Sequence, residues 1–169
     1  MPTLATRDDR RAVSSLLAVA AIAGLVHAAF SLYWAAGGDA LLSTLGDRIV
    51  REFDAQRWLL VPVGLVKAWF AVWPLWRWQA GRLTRGSRRV AWLGAIVLMI
   101  WGGLNTVVGN LVLTGVIDPD GGFDRPGMIG HDWLWDPLFL LWGLALAAGL
   151  RAAGRLRRGG TWPSAAHPG

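Results

Sequence analysis

The sequence predicts an all-α integral membrane protein with four transmembrane helices in a compact bundle, and three observations support this prediction. Of its 169 residues, 54% are hydrophobic, and the mean hydropathy of +0.39 is too high for an ordinary soluble domain. Four apolar stretches are each long enough to cross a bilayer core, which takes about 20 helical residues. Basic residues gather around the ends of these stretches, which is typical of membrane topology.

The apolar stretches divide the chain into a membrane domain and two flanks. A short N-terminal flank, 1–12, precedes the membrane domain 13–150, and a basic, disordered tail, 151–169, follows it. The predicted spans are 13–36, 58–76, 90–117 and 133–150. The connection before the second span has apolar residues on one helical face and predicts a short helix on the membrane surface, with Leu42, Leu45, Ile49 and Phe53 on that face. The Gly-, Pro- and Asp-rich connection 118–132 predicts a turn-filled loop.

The distribution of arginine predicts the orientation of the spans. Twelve arginines lie in the two flanks and the second connection, whereas the first and third connections hold four. The positive-inside rule then places both termini in the cytoplasm, and the arginine-rich, lysine-poor composition indicates a bacterial inner membrane. The partner of the basic residues is the bilayer rather than nucleic acid, because they do not cluster on one face. Tryptophans expected in the interfacial belts are Trp34, Trp58, Trp76, Trp133 and Trp135.

A few polar residues within the spans are the candidate ligand-binding residues. They are His27, Lys67, Asn105, Asn110 and Asp136. Small residues accompany them at helical spacing and mark faces on which membrane helices approach closely, so we expect these side chains to point inward. Measured from the outer span ends, Asp136 lies about 5 Å deep, Asn110 about 10 Å, and His27 and Lys67 about 14 Å.

Lys67 is the only lysine of the chain and the most unusual of these residues. A charged residue at the centre of a membrane helix costs about 2.5–3.5 kcal/mol on insertion scales. Because helical side chains lean toward the helix N-terminus, Lys67 should reach toward the outer face, where Asp136 is the expected counter-ion. The other four candidates also have structural alternatives: His27 and the asparagines could join helices by hydrogen bonds, and Asp136, before Pro137, could cap a helix.

The sequence contains no recognisable cofactor or metal motif. It has no Gly-rich phosphate loop, nucleophile elbow or paired zinc-ligand histidines. It has no cysteine, and His131 lies too far above His27 for a haem held by two histidines. We therefore expect no cofactor and no metal, and the sequence favours a role other than catalysis.

Three hypotheses remain open from the residues alone. The first is a membrane-embedded binding or transport-accessory module with an outward-facing polar pocket for an anionic or lipid-derived small molecule. The second is an intramembrane enzyme with His27 as general base and Lys67 stabilising a developing anion. The third is a structural subunit, joined to a membrane-protein partner or a second copy, in which Lys67 and Asp136 fix the packing of the helices.

Three stretches carry a resemblance to a known family. HAAFSLYWAAGG (27–38), GLNTVVGNLVLTGV (103–116) and GHDWLWDPLFLLWGLAL (130–146) resemble the bacterial membrane-protein family called domain of unknown function 3995. The resemblance implies a compact four-helix integral membrane protein and carries over no activity. The residues that match its motifs are His27, Trp34, Gly37, Gly38, Trp135, Asp136 and Pro137.

Overall fold

The computed structural model describes residues 6–46, 50–52 and 54–159, and within these ranges the chain is helical with no strand. Its long helices are α1 (Arg7–Ala35), α2 (Leu60–Gln79), α3 (Arg85–Leu113) and α4 (Asp136–Gly159). Each lies in a segment long and apolar enough to cross a membrane. The prediction of an all-α membrane fold with four spans is confirmed.

Polar caps start α1 and α3 several residues before the predicted spans. At α1, the Thr6 hydroxyl accepts from the backbone N–H of Asp9 (3.2 Å), and the Asp9 carboxylate accepts from the N–H of Thr6 (2.9 Å). At α3, the Thr84 hydroxyl accepts from the N–H of Ser87 (3.2 Å). These contacts satisfy amide groups that the first turn of a helix leaves without partners.

The connection before α4 is more helical than the sequence indicated. Its second half forms a short helix, Arg125–Gly130, which passes through one π-helical turn, His131–Trp135, directly into α4. The Asp124 carboxylate accepts from the N–H of Gly127 (3.4 Å), and Pro126 stands in the first turn, where its missing N–H costs nothing. The prediction of a turn-filled loop is therefore wrong for this half.

The first connection does not form the continuous surface helix that its apolar face suggested. Leu42–Leu45 makes one turn of 3₁₀ helix, and Gly46 ends it with a φ of 95°. Only glycine adopts this backbone conformation without strain, so the helix cannot run on through the residue. The rest of the predicted face, Ile49 and Phe53, lies outside the described residues.

The long helices pack side by side in the order α2, α1, α4, α3, each antiparallel to its neighbour. Small residues make the close approaches: Gly24 of α1 lies against Ala71 of α2, and Gly102 of α3 lies against the backbone of Leu140 in α4. Helices α2 and α3, the two ends of this series, scarcely touch. The N-terminus, the α2–α3 turn and the end of α4 lie at one end, here called the terminal end, and the two longer connections form the opposite, connection end.

The apolar core fills the terminal half of the molecule. All four long helices contribute to it, and Leu17 of α1, Ala71 of α2, Ala91 of α3 and Leu150 of α4 are almost fully buried. Of the predicted interfacial tryptophans, Trp34 and Trp135 are only 2% exposed. Their rings pack at 5.1 Å near the connection end, so the interfacial prediction is wrong for these two.

The contact of α3 with α4 predicts contrasting effects for two adjacent glycines. In Gly102→Ala the added methyl group overlaps the α4 backbone, and we expect overpacking to cost about 1–3 kcal/mol of stability. In Gly103→Ala the methyl group lies 3.7 Å from the Leu140 side chain, which is ordinary contact. Thermal unfolding of the purified variants should show a lower midpoint for Gly102→Ala alone. Equal midpoints would show that this contact does not govern the packing.

Candidate functional site

A cavity of about 820 Å³ lies in the half toward the connection end, with residues of α2 and of α3 in its lining. The ring of Phe70 lies against Gly94 and joins the two helices nearer the terminal end. The polar side chains that line the cavity are His27, Ser31, Lys67, Asn105, Asp124, His131, Asp132 and Asp136. Its apolar lining includes Trp34, Leu45, Leu60, Trp101, Val108, Met128, Trp135 and Phe139.

The structure brings most of the sequence-predicted candidates to this one cavity. His27, Lys67, Asn105 and Asp136 line it together. Asn110 does not line the cavity: its amide nitrogen donates to the carbonyl oxygen of Thr106 in its own helix (2.9 Å), and it lies beside Asp132, which does line it.

Lys67 enters the cavity from α2 and contacts neutral groups of α1. Its Nζ lies 3.2 Å from Nδ1 of His27 and 3.1 Å from Oγ of Ser31. The ammonium also stands 5.5 Å from the centre of the Phe139 ring, within the range of a cation–π contact. Among the residues that the structure describes, no carboxylate oxygen lies within 4 Å of this ammonium.

The contact with Lys67 assigns the protonation of the His27 ring. An ammonium group only donates, so Nδ1 accepts from it and the imidazole proton sits on Nε2. The ring packs on Phe139, with centroids 3.8 Å apart, and near Trp135 at 5.5 Å. Within the described part of the chain, Nε2 has no hydrogen-bond partner although it is buried. His27 is thus a neutral acceptor for Lys67 with one unused donor.

The expected counter-ion of Lys67 has a different partner. The Asp136 carboxylate lies 3.5 Å from Nδ1 of His131. These two residues are five positions apart, which is the spacing that one π-helical turn brings into register. The predicted pairing of Lys67 with Asp136 is wrong: the turn directs Asp136 to His131, and Lys67 is left to His27 and Ser31.

Asp132 is a site residue that the sequence interpretation missed. Its side chain is 2% exposed and lies against Gly109 of α3. Asn110 is the neighbouring donor, through its backbone N–H and its side-chain amide, but among the described residues neither makes a hydrogen bond of ordinary geometry to the Asp132 carboxylate, and no cationic side chain pairs with it. The sequence did contain a signal, a second carboxylate four residues before Asp136. It was overlooked because this segment was assigned to a loop, where helical spacing has no meaning.

The first connection covers the cavity and is here called its roof, and the motif residues Trp34 and Trp135 bind it by hydrogen bonds. Trp34 donates from Nε1 to the carbonyl oxygen of Ala40, and Trp135 donates from Nε1 to Oγ1 of Thr44, both at 2.9 Å. Gly37 has a φ of 91°, which lets the chain turn back over the end of α1. The roof therefore consists of the first connection, fastened to α1 and to the π-helical turn by indole hydrogen bonds.

Comparison with known proteins agrees with the resemblance seen in the sequence. The family model described as "Protein of unknown function (DUF3995)" matches residues 24–146, which include both tryptophans of the roof and nearly all of the cavity. A search of curated proteins and a search of solved structures found no match to the chain. The chain belongs to the DUF3995 family of proteins of unknown function.

Proposed function

We propose that this protein is a membrane-embedded binding module whose ligand is an amphiphile with an anionic head. The observation that carries the proposal is the Lys67 ammonium in the cavity, with neutral partners and no carboxylate among the described residues within 4 Å. A charge in this position is costly unless an opposite charge accompanies it. An anionic group in the cavity would supply that charge.

The hydrogen-bonding capacity of Lys67 supports this role. An ammonium carries three N–H donors, and two of them are used by His27 and Ser31. The third is available to a ligand, and a charge-assisted bond to a phosphate or carboxylate oxygen is about twice as strong as a neutral one. The neutral partners therefore orient the lysine without neutralising it.

The side opening of the cavity supports an amphiphile rather than a small soluble anion. The cavity lies where α2 and α3 diverge, and its wall on α3 includes Trp101 and Val108, which are 61% and 41% exposed. In a membrane these side chains face lipid, so an apolar chain could leave the cavity between the helices without contacting water. A volume of about 820 Å³ is within the usual range of ligand pockets.

The geometry favours binding over the two alternatives raised by the sequence. A general base needs a free lone pair, and the only one on neutral His27 faces the Lys67 ammonium. A structural role for a Lys67–Asp136 pair is also disfavoured, because Asp136 contacts His131. These contacts support a site prepared for a ligand.

The arginine distribution supports a bacterial inner-membrane location with both termini in the cytoplasm. In this orientation the connection end faces outward, and the cavity opens into the outer half of the membrane. Its ligand would then come from the outer leaflet.

The first prediction concerns the charge of Lys67. In Lys67→Met, phosphatidylmethanol, a phospholipid whose headgroup bears only the phosphate and a methyl group, should bind about ten- to a hundredfold more weakly, because one charge-assisted hydrogen bond is lost. Native mass spectrometry of the purified protein measures this affinity. Arg82→Met, which removes an exposed charge in the α2–α3 turn, is the control and should bind normally. Undiminished binding by a folded Lys67→Met protein contradicts the proposal.

The second prediction concerns the side opening and uses adjacent valines of α3. Val108 lines the cavity and Val107 does not, while both side chains are exposed, at 41% and 58%. Val108→Trp should obstruct the exit of the acyl chain and weaken phosphatidylmethanol binding, whereas Val107→Trp should leave it unchanged. Because neither side chain is buried, both variants should fold. Equal affinities would argue against an exit between α2 and α3.

The third prediction concerns orientation, and the absence of cysteine from the chain makes it direct to test. Asp120→Cys in the third connection and Asp8→Cys in the first turn of α1 both replace exposed side chains. On intact cells, a membrane-impermeant maleimide should label Asp120→Cys and leave Asp8→Cys unlabelled until the cells are opened. The reverse pattern would invert the topology and place the cavity in the inner half.

A further inference from the structure

The buried carboxylate of Asp132 has no role in the site as described so far. It lines the cavity and is 2% exposed; within residues 6–46, 50–52 and 54–159 its neighbouring donor is the neutral Asn110, which makes no hydrogen bond of ordinary geometry to it, and no cationic side chain pairs with it. Buried polar groups in proteins are nearly always paired, because leaving one unpaired costs about as much as its lost hydration. A buried carboxylate in this state therefore indicates a missing cationic partner.

Asp132 and Lys67 approach the cavity from different sides. Lys67 extends from α2 toward α1, and Asp132 is packed against Gly109 of α3. The cavity thus presents a positive group on its α2 side and a negative group on its α3 side. A ligand that carried only an anion would satisfy Lys67, repel Asp132 and leave the carboxylate without a cation.

A metal ion is a poor candidate for the missing partner. In the part of the chain that the structure describes, no three His, Asp or Glu side chains come together as a set that could hold one. The closest acidic residue along the chain, Asp136, is occupied by His131. The donor that fits is an N–H group, and a charged one matches the carboxylate best.

We propose that the ligand's head is zwitterionic, with an anionic group bound by Lys67 and a primary ammonium bound by Asp132, as in an ethanolamine phospholipid. This inference rests on the proposed function and specifies its ligand class. In such a lipid the phosphate is adjacent to the acyl chains and the ammonium is at the tip of the head. The chains would lie between α2 and α3, the phosphate at Lys67, and the ammonium against α3 at Asp132.

Binding of two phospholipids with identical acyl chains to the purified full-length protein tests the inference. Phosphatidylethanolamine has the ammonium, and phosphatidylmethanol has the same phosphodiester without it. We expect the unsubstituted protein to bind phosphatidylethanolamine about tenfold more tightly, the effect of one charge-assisted hydrogen bond. In Asp132→Asn the two affinities should become equal, because phosphatidylethanolamine loses the partner of its ammonium and phosphatidylmethanol no longer meets a negative charge. Asp118→Asn, an exposed carboxylate in the third connection, should keep the tenfold preference.

The outcomes separate this inference from the function on which it rests. Lys67-dependent binding of both lipids with equal affinity overturns the zwitterionic head and leaves the proposed function intact. Binding of neither lipid overturns both. If Asp132→Asn does not fold, the affinity ratio of the unsubstituted protein still decides. Free phosphoethanolamine is the last probe: binding as tight as that of the phospholipid would identify a soluble zwitterion and contradict the amphiphile.

Discussion

The ammonium of Lys67, held within a membrane-spanning helix by an imidazole and a hydroxyl, is the constraint around which the site is organised. Both partners lie on α1, His27 and Ser31 being one helical turn apart. Their contact with Lys67 fixes the α1–α2 pairing at the same level as the close approach of Gly64 to Ala28 and Leu32. Since both partners are neutral, they do not compensate the positive charge of Lys67. This charge therefore faces the adjacent cavity without a counter-ion among the described residues.

The π-helical turn before α4 determines which charges remain unpaired. A regular helix through this segment would place residues four apart on one face, so Asp132 and Asp136 would lie together. The turn instead brings His131 beside Asp136, five residues on, and directs Asp132 to Gly109 of α3. One local change of helical pitch thus pairs one carboxylate and leaves the other buried at the wall of the cavity. Such turns occur often at functional sites in membrane and soluble helices.

The sequence was sufficient for features that depend on periodicity and hydropathy. Four apolar stretches predict four helices, and small residues at helical spacing place His27 and Lys67 on inward faces. What could not be predicted depends on contacts between distant segments. The partner of Asp136 depends on a π-helical turn, which no residue pattern in the sequence predicts. Trp34 and Trp135 have the positions of interfacial residues in the sequence, and only the folded structure shows that the connections cover them. Asp132 was missed because glycine and proline indicate a loop, whereas Asp124 and Pro126 start a helix there.

The cavity is itself a consequence of where glycine occurs in the sequence. Gly24 and Gly64 bring α1 and α2 together, Gly102 and Gly143 do the same for α3 and α4, and Gly109 brings α3 against the π-helical turn. Between α2 and α3, Gly94 makes a comparable approach, and the Phe70 ring fills it. Beyond that ring, toward the connection end, α3 presents large apolar side chains such as Trp101 instead of a glycine, and the two helices make no close approach. Because helices in lipid associate mainly through close packing, a pair without such contacts has little reason to close. The wide spacing of α2 and α3 toward the connection end is therefore encoded in the sequence, and Lys67 and Asp132 both line the cavity that it leaves.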